Sequence, residues 1–483
     1  MTHTQNPTQN PTMPQNKVHH AESGKSQEFY DALLRKQRAF FQSGKTRDVS
    51  FRTEQLNRLK KAVQAFEPAI LNAVKQDMNR PTFEGFTAEV GMCLDEISYA
   101  TKNIRKWSRP TRVPTPITHF ISSSRIIPEP VGVVLIIAPW NYPFQLAIAP
   151  LIAAMSAGNC AIVKPSELAP ATSAVIAKLI GETFSSEYVA AVEGGVEVTT
   201  ALLKERFDHV FFTGGTAVGR VILEAAAKHL TPVTLELGGK SPCIVDKNIP
   251  IEQTARRIAW GKFFNAGQTC VAPDYLLVHR SVKDPLIAAM KNVLHEFYGA
   301  DPSKSADFGR IINERHFNRL TALLTKANIA IGGQSNAAER YIAPTIVDQV
   351  SLGDAIMGDE IFGPILPVLT YDTLDEALAI VQQRAKPLAL YLFTGDRTVE
   401  ARVLREVQFG GGCVNDTLIH LSSSHLPFGG IGPSGMGAYH GKAGFDLFSH
   451  KKSVLKKTAL FDIKLRYAPY SKLKLSIVKR LFA

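Results

Sequence analysis

The chain has 483 residues, of which 45% are hydrophobic and 20% charged, with a net charge of +12. That length exceeds one ordinary domain, and the composition excludes collagen-like, wholly disordered and small disulfide-stapled classes. Residues 451–483 hold ten Lys/Arg and one acid, Asp462, so +9 of the charge sits in the last 33 residues. The rest is nearly balanced, which excludes a globally nucleic-acid-binding surface. Cys93, Cys160, Cys243, Cys270 and Cys413 are irregularly spaced with no CxxC pair, so no metal site or disulfide framework is encoded. A reducing, cytoplasmic setting is expected.

Residues 1–26 are polar, with no apolar run, and are expected as a disordered arm rather than a signal peptide. Residues 27–75 read as two helices, with Leu33, Leu34, Phe40 and Phe41 and then Leu56, Leu59, Val63 and Phe66 at helical spacing. A third helical stretch runs over Phe86–Trp107, and the Pro-punctuated segment 109–130 reads as a hairpin leaving the body. Strands are expected at Val131–Ala138, Ala161–Lys164 and His209–Thr213, and helices around 145–157 and at Ala171–Phe184 and Arg220–His229. Further strands are expected at Leu276–His279, Ala389–Thr394 and Gly412–Asn415. This alternation predicts two doubly wound, parallel α/β domains with one excursion. No stretch is long and uncharged enough to span a bilayer.

Five segments carry chemistry. The loop Gly214–Gly219 lies between a strand and a helix, where free N–H groups suit a pyrophosphate; a plain helix-capping turn reads equally well. Lys164 and Glu167 end a strand at the edge where open α/β sheets bind ligands, and could reach ribose hydroxyls or form a solvated turn. Glu236 lies between two leucines in an apolar strand; buried, it would have the raised pKa of a general base, and on a solvated face it would mean nothing. Cys270 sits among small neighbours that suit a nucleophile on a turn, although most single cysteines are packing. Asn141, between Trp140 and Tyr142, offers an amide donor for an oxyanion or is simply a turn residue. The other cysteines read as structural, with Cys160 and Cys243 preceding strands.

Together these segments resemble the aldehyde dehydrogenase superfamily, specifically its class 3 branch of fatty and aromatic aldehyde dehydrogenases, over roughly residues 28–470. The marks, all in family order, are PWNYP at 139–143, KPSE at 164–167, FTGGTAVG at 212–219, LELGGKSP at 235–242 and GQTCVAPDY at 267–275. EIFGPILPV at 360–368 and LPFGGIGPSGMGAYHG at 426–441 complete them, and PEPVGVV at 128–134 and Arg466-Tyr467 favour class 3. Gly215 departs from the Ser or Asn of many relatives, and the N-terminal arm has no counterpart.

The resemblance implies a two-Rossmann-domain fold with a bridging β arm. The cofactor domain would be 27–109 and 131–237, the arm 110–130 and 414–450, the catalytic domain 238–413 and a basic tail 451–483. It implies Cys270 as nucleophile, Glu236 as base, and Asn141 with the Cys270 N–H as oxyanion hole. Lys164 would bind the adenosine ribose, and Gly214, Gly215, Thr216, Ala217, Val218 and Gly219 would follow the pyrophosphate. Glu360 would hold the nicotinamide ribose and Phe362 pack near the nicotinamide. NAD is the expected cofactor, with NADP the alternative, because Glu167 near the ribose repels a 2′-phosphate. The implied reaction is aldehyde oxidation in a homodimer, on medium- to long-chain, apocarotenoid or phenylpropanoid aldehydes.

Three rivals share these residues: a thiol hydrolase using Cys270 and Glu236, an acylating enzyme that passes the thioester to coenzyme A, and a non-catalytic scaffold. The cofactor segments weigh against the first, Glu236 as a deacylating base against the second, and the Cys270, Glu236 and Asn141 set against the third. The tail from Ser471 mixes four cations with six apolar side chains, so as a helix it suits weak contact with an anionic membrane or with a partner subunit.

Overall fold

The computed structural model describes residues 25–460 and 462–482; the expected arm 1–26 lies almost wholly outside the described residues. Helices form at Gln27–Gln42, Val49–Met78 and Met92–Trp107. The long one starts where the Asp48 carboxylate caps the Ser50 N–H and stops at Asn79, whose left-handed backbone (φ 49°) turns the chain. A π-helical turn at Phe86–Gly91 precedes the third.

Five parallel strands form the core of the first sheet, in the spatial order Val233–Glu236, His209–Thr213, Val133–Ile137, Cys160–Lys164 and Val189–Ala191. Gly435–Met436 adds an antiparallel edge, pairing Gly435 with Glu236. The central strands are buried on both faces, as apolar runs between helical layers must be. Chain order reverses between Val133–Ile137 and His209–Thr213, so a crevice opens beyond their carboxyl ends, at residues 138–141 and 213–215.

A second sheet of seven strands runs Ile329–Ile331, Thr345–Val347, Ile365–Tyr371, Tyr275–His279, Pro242–Val245, Ala389–Phe393 and Gly411–Val414, parallel apart from the first. A third sheet pairs Thr111–Val113, Ser122–Pro130 and Ser449–Lys457 antiparallel.

Three expectations are corrected. The helix expected from Arg220 begins at Thr216, so Thr216–Gly219 are its first turn rather than a loop. Cys160 and Cys243 lie inside strands, not before them. The third strand of the arm sheet begins at Ser449, where the arm was expected to end, while Gly435–Met436 folds back onto the first sheet.

Ile136 is fully buried in the central strand of the first sheet. Ile136→Ala is expected to cost about 2–5 kcal/mol and Ile136→Val about 0.5–1.5 kcal/mol, read from urea unfolding midpoints.

Candidate active site

The chain reaches Cys270 through the helix Ile251–Phe263 and a tight left-handed passage at Asn265 (φ 53°), Ala266 (φ 50°) and Gly267 (φ 73°). A Cβ on Gly267 would overlap the Gly363 carbonyl, so only glycine lets the loop pass there. The half-buried Cys270 thiol lies at the junction of two cavities. One, of about 360 Å³, is lined mainly by apolar side chains, among them Phe83, Met92, Trp260, Phe264, Leu418 and Phe428. The other, of about 280 Å³, occupies the crevice at the reversal of the first sheet and is lined by Asn141, Gly214, Gly215, Glu236, Glu360 and Phe362 among others.

Asn141 is buried; one side-chain amide N–H donates to the Gln268 backbone carbonyl at 3.2 Å, and the Asn141 backbone carbonyl accepts from Arg80 and from Asn265 Nδ2 at 3.0 Å. An amide nitrogen carries two hydrogens, so a second donor remains available beside Cys270. Glu236 ends its strand with only 3% exposure, and neither carboxyl oxygen has a hydrogen-bond partner among the described residues. The solvated-face alternative for this residue is thereby removed. Burial pushes its carboxyl well above the carboxylate range. Burial also raises the Cys270 thiol, with the Glu360 and Glu236 carboxylates adding to it and the backbone N–H groups of Cys270 and Val271 opposing.

Glu360 and Phe362 ride on a strap that Lys240 and Asp274 hold in place. Lys240 Nζ meets Asp274 Oδ2 at 2.5 Å and the carbonyls of Ile356 (2.8 Å) and Asp359 (3.0 Å), while Asp274 Oδ1 accepts from Ile361 N at 2.9 Å. Arg319 donates to the Ile361 and Glu360 carbonyls. Phe362 is itself left-handed (φ 51°), and its ring stands edge-on to Trp140 at 5.3 Å. Burial, then Asp274, pushes the Glu360 carboxyl up to about 8 against the Gly239 N–H, Lys240 and Lys262.

The structure therefore gathers Cys270, Asn141, Glu236, Gly214, Gly215, Glu360 and Phe362 around one crevice. Thr216, Ala217, Val218 and Gly219 stand behind it as a helix first turn; the Gly219 N–H donates to the Gly215 carbonyl at 3.0 Å, and those of Thr216, Ala217 and Val218 are free among the described residues. Lys164 and Glu167 lie apart from that cavity, at the carboxyl end of the strand next to Val133–Ile137. There Lys164 Nζ pairs with Glu167 Oε2 at 2.6 Å. Sequence reasoning quoted Trp140, Lys240 and Asp274 inside motifs without giving them work, and missed Arg80 and Arg319 entirely. The remaining cysteines are free: Cys93, Cys160 and Cys243 are buried, and Cys413 lies 3.5 Å from His420 Nδ1.

Residues 2–454 match the model of the aldehyde dehydrogenase family. The 4,4'-diaponeurosporen-aldehyde dehydrogenase of Staphylococcus aureus is 51% identical, with 94% of this chain and 98% of that one aligned. The dimeric, NADP-preferring aldehyde dehydrogenase of Canis lupus familiaris is 46% identical over 90% of this chain and 97% of its own length. Among solved structures, Staphylococcus aureus AldH in its substrate-bound state superposes with a TM-score of 0.92 at 50% identity, covering 94% of this chain and 99% of that one. An NAD-dependent aldehyde dehydrogenase from Sinorhizobium meliloti gives 0.84 at 28% identity, covering 92% and 89%.

A thiol raised by burial reacts only through its small thiolate fraction. Alkylation of Cys270 by iodoacetamide should therefore accelerate about tenfold per pH unit between about pH 7 and 9. Peptide mapping of the time course checks this, and a rate already level at neutral pH would contradict it.

Proposed function

The chain belongs to the aldehyde dehydrogenase family, and on that footing we propose that it oxidises medium- to long-chain aliphatic or aromatic aldehydes to carboxylic acids through a thioester on Cys270. The observation that carries this is the position of Cys270, open on one side to an apolar cavity and on the other to a crevice holding Glu236. An aldehyde with an apolar body fills the first and presents its carbonyl to the thiol. The sulfur adds to the carbonyl carbon, the thiol proton passes to solvent water, and the carbonyl π pair becomes an oxyanion facing the Asn141 amide and the Cys270 N–H.

The glycine-lined crevice fits a dinucleotide: Gly214 and Gly215 leave room beside the free first-turn N–H groups of Thr216, Ala217 and Val218. Lys164 and Glu167 would take the adenosine ribose, Gly219 would allow the helix to pack closely, and Glu360 and Phe362 would take the nicotinamide end. A nicotinamide held there would supply the acceptor for the hydride that the thiohemiacetal carbon gives up. Glu236 then takes a proton from water as the water attacks the thioester, releasing the carboxylate and restoring the thiol. Because its pKa is raised, the ionised fraction of this base grows as pH rises, so deacylation should quicken toward alkaline pH.

NAD is the favoured cofactor on the negative charge of Glu167, but Lys164 offsets that charge in part, and the canine relative is NADP-preferring. The same relative is dimeric. Here the nine-residue edge strand Ser449–Lys457 has no strand on its outer side among the described residues, which suits pairing across a dimer. We read residues 27–109 with 131–237 as the cofactor domain and 238–413 as the catalytic domain.

The decisive experiment is reduced-cofactor formation with NAD and with NADP across hexanal, a long-chain aldehyde, benzaldehyde and coniferaldehyde. Cys270→Ala should abolish turnover, and Asn141→Ala should lower it about 10²–10³-fold. Silence with every aldehyde from a folded, NAD-binding protein would reopen the thiol-hydrolase reading.

One further observation favours a second, peripheral role for the tail. The helix Lys472–Phe482 has no buried residue, with Leu473, Leu475, Leu481 and Phe482 exposed, and Ile117 lies across a shared cavity from it. No helix among the described residues is long and apolar enough to cross a membrane. A cytoplasmic enzyme resting weakly on an anionic bilayer fits this face, each basic residue near the surface adding about 1 kcal/mol. Pelleting with phosphatidylserine vesicles should exceed that of a chain ending at Tyr470; equal pelleting leaves the tail to the partner subunit.

A further inference from the structure

Beside the apolar cavity onto which Cys270 opens lies a smaller one, of about 190 Å³. Thr87, Met92, Gln145, Leu421, Ser422 and His440 line both, so the two adjoin, whereas Cys270 lines only the first. The smaller cavity is a polar annex. Asp95, Glu96 and Ser424 stand around it, with Ala149 one turn after Gln145 on the helix Gln145–Ala157.

Four polar side chains are common to the two cavities, and three of them are already engaged. Thr87 Oγ1 donates to the Phe83 carbonyl at 2.9 Å, Ser422 Oγ to the Ile419 carbonyl at 2.8 Å, and the His440 ring to the Leu421 carbonyl. Gln145 is the fourth. It is only 6% exposed, and among the described residues its amide reaches only the Tyr439 hydroxyl. An amide offers two donors on nitrogen and two acceptor sites on oxygen, so most of this capacity is unused. Nor is the residue free to turn away, because Gln145 N donates to Glu89 Oε2 at 2.7 Å and Glu89 is held by Arg80. A buried amide left this way is costly unless a ligand answers it.

The walls of the annex select the chemistry of that ligand. Ser424 Oγ lies 3.3 Å from Asp95 Oδ2 and 3.2 Å from Glu96 Oε2, and Gly441 N donates to Glu96 Oε1 at 2.6 Å. Neither Lys nor Arg lines the annex among the described residues, and burial brings His440 down to about 4, so it is uncharged at neutral pH. A carboxylate or phosphate would meet acceptors and no cation there. A methyl end would leave the Gln145 amide unanswered. A hydroxyl, donor and acceptor at once, suits the amide in either orientation.

We propose that Gln145 makes this a site for hydroxylated aldehydes: the apolar body fills the larger cavity, and a hydroxyl remote from the carbonyl bonds to the Gln145 amide in the annex. The inference rests on the aldehyde oxidation proposed above and narrows its substrate class. A pocket that hydrogen-bonds a hydroxyl discriminates against the analogue lacking it, because the pocket's own buried group is then left unpaired.

The test is kcat/KM for matched pairs, ω-hydroxydecanal with decanal and para-hydroxycinnamaldehyde with cinnamaldehyde. Wild type is compared with Gln145→Met and Gln145→Ala. The ratio within a pair cancels the fraction of folded protein, so a variant that folds poorly still reports. In wild type at least one pair should favour the hydroxylated member by about tenfold, and both variants should bring that ratio to about one. An aldehyde ending in a carboxylate, ω-oxodecanoate, should be a poorer wild-type substrate than decanal. Equal turnover within both pairs in wild type overturns the proposal. So does a hydroxyl preference that survives in both variants, or a preference for the carboxylate end. Silence with every aldehyde instead removes the oxidation reading, and this one with it.

Discussion

Arg80 and Glu89 face each other with neither side chain in contact with solvent. Removing two such ions from water costs several kcal/mol each, and their attraction offsets this only if every remaining donor and acceptor is satisfied. Here the remaining groups are used to tie the site together. Arg80 Nε donates to Asn265 Oδ1 at 3.0 Å, another guanidinium N–H reaches the Asn141 carbonyl, and the guanidinium plane covers the Tyr142 ring at 4.5 Å. Glu89 accepts the N–H groups of Phe144 (3.1 Å) and Gln145 (2.7 Å), at the start of the helix Gln145–Ala157. One ion pair thus fixes the end of the long helix, the π turn, the Asn141 loop and the Cys270 loop relative to one another. The donor geometry of Asn141 is inherited from that pair.

Strain in the Cys270 loop is tolerated for the same reason. Left-handed backbone at non-glycine residues such as Asn265 and Ala266 costs about 1–3 kcal/mol each and persists only when the surroundings over-determine it. Gln268 adds the needed constraints, donating to the carbonyls of Asn265 (3.1 Å) and Arg310 (3.0 Å) and accepting from Ile312 N (3.0 Å). Beyond the thiol, Asp274 anchors the chain to Lys240 and the strap. Cys270 is therefore held from both sides by buried charged clamps, Arg80–Glu89 before it and Lys240–Asp274 after it. That is how a thiol on a loop keeps a constant position between two cavities.

Much of this was legible in the sequence, for reasons that also explain what was not. Parallel strands buried on both faces leave continuous apolar runs, so Val133–Ile137, Cys160–Lys164 and His209–Thr213 stand out. The three-residue strand Val189–Ala191 is too short to leave such a run. Gly215 and Gly219 bracket Thr216–Val218 and mimic a loop, yet Gly219 lies within the helix because a Cβ there would press into Leu237 of the neighbouring segment. Ser449–Lys457 is Lys-rich, mostly exposed and reads as a charge run; its strand conformation comes from pairing with Ser122–Pro130 at every position. The candidate reactive residues stand out in the sequence because the proposed chemistry demands particular atom types in small-residue loops. Clamp residues were not, because Arg80 and Asn265 are 185 positions apart and no local pattern announces their meeting.

The electrostatics of the crevice assign an order to its two acids. Burial keeps both the Cys270 thiol and the Glu236 carboxyl protonated beyond their ordinary ranges, and an ionised Glu236 raises the thiol further. By reciprocity a thiolate disfavours the Glu236 carboxylate, so the two share one negative charge far more easily than they carry two. On the proposed mechanism, attack on an aldehyde requires that charge on sulfur. A sulfur once acylated would no longer be an acid, its charge would leave the crevice, and the penalty it imposed on Glu236 would disappear. The carboxylate then becomes easiest to form at the stage that needs a base for water. Two groups that hinder each other when both are free thus suit successive steps, and their closeness in a dry crevice helps the sequence of events rather than impeding it.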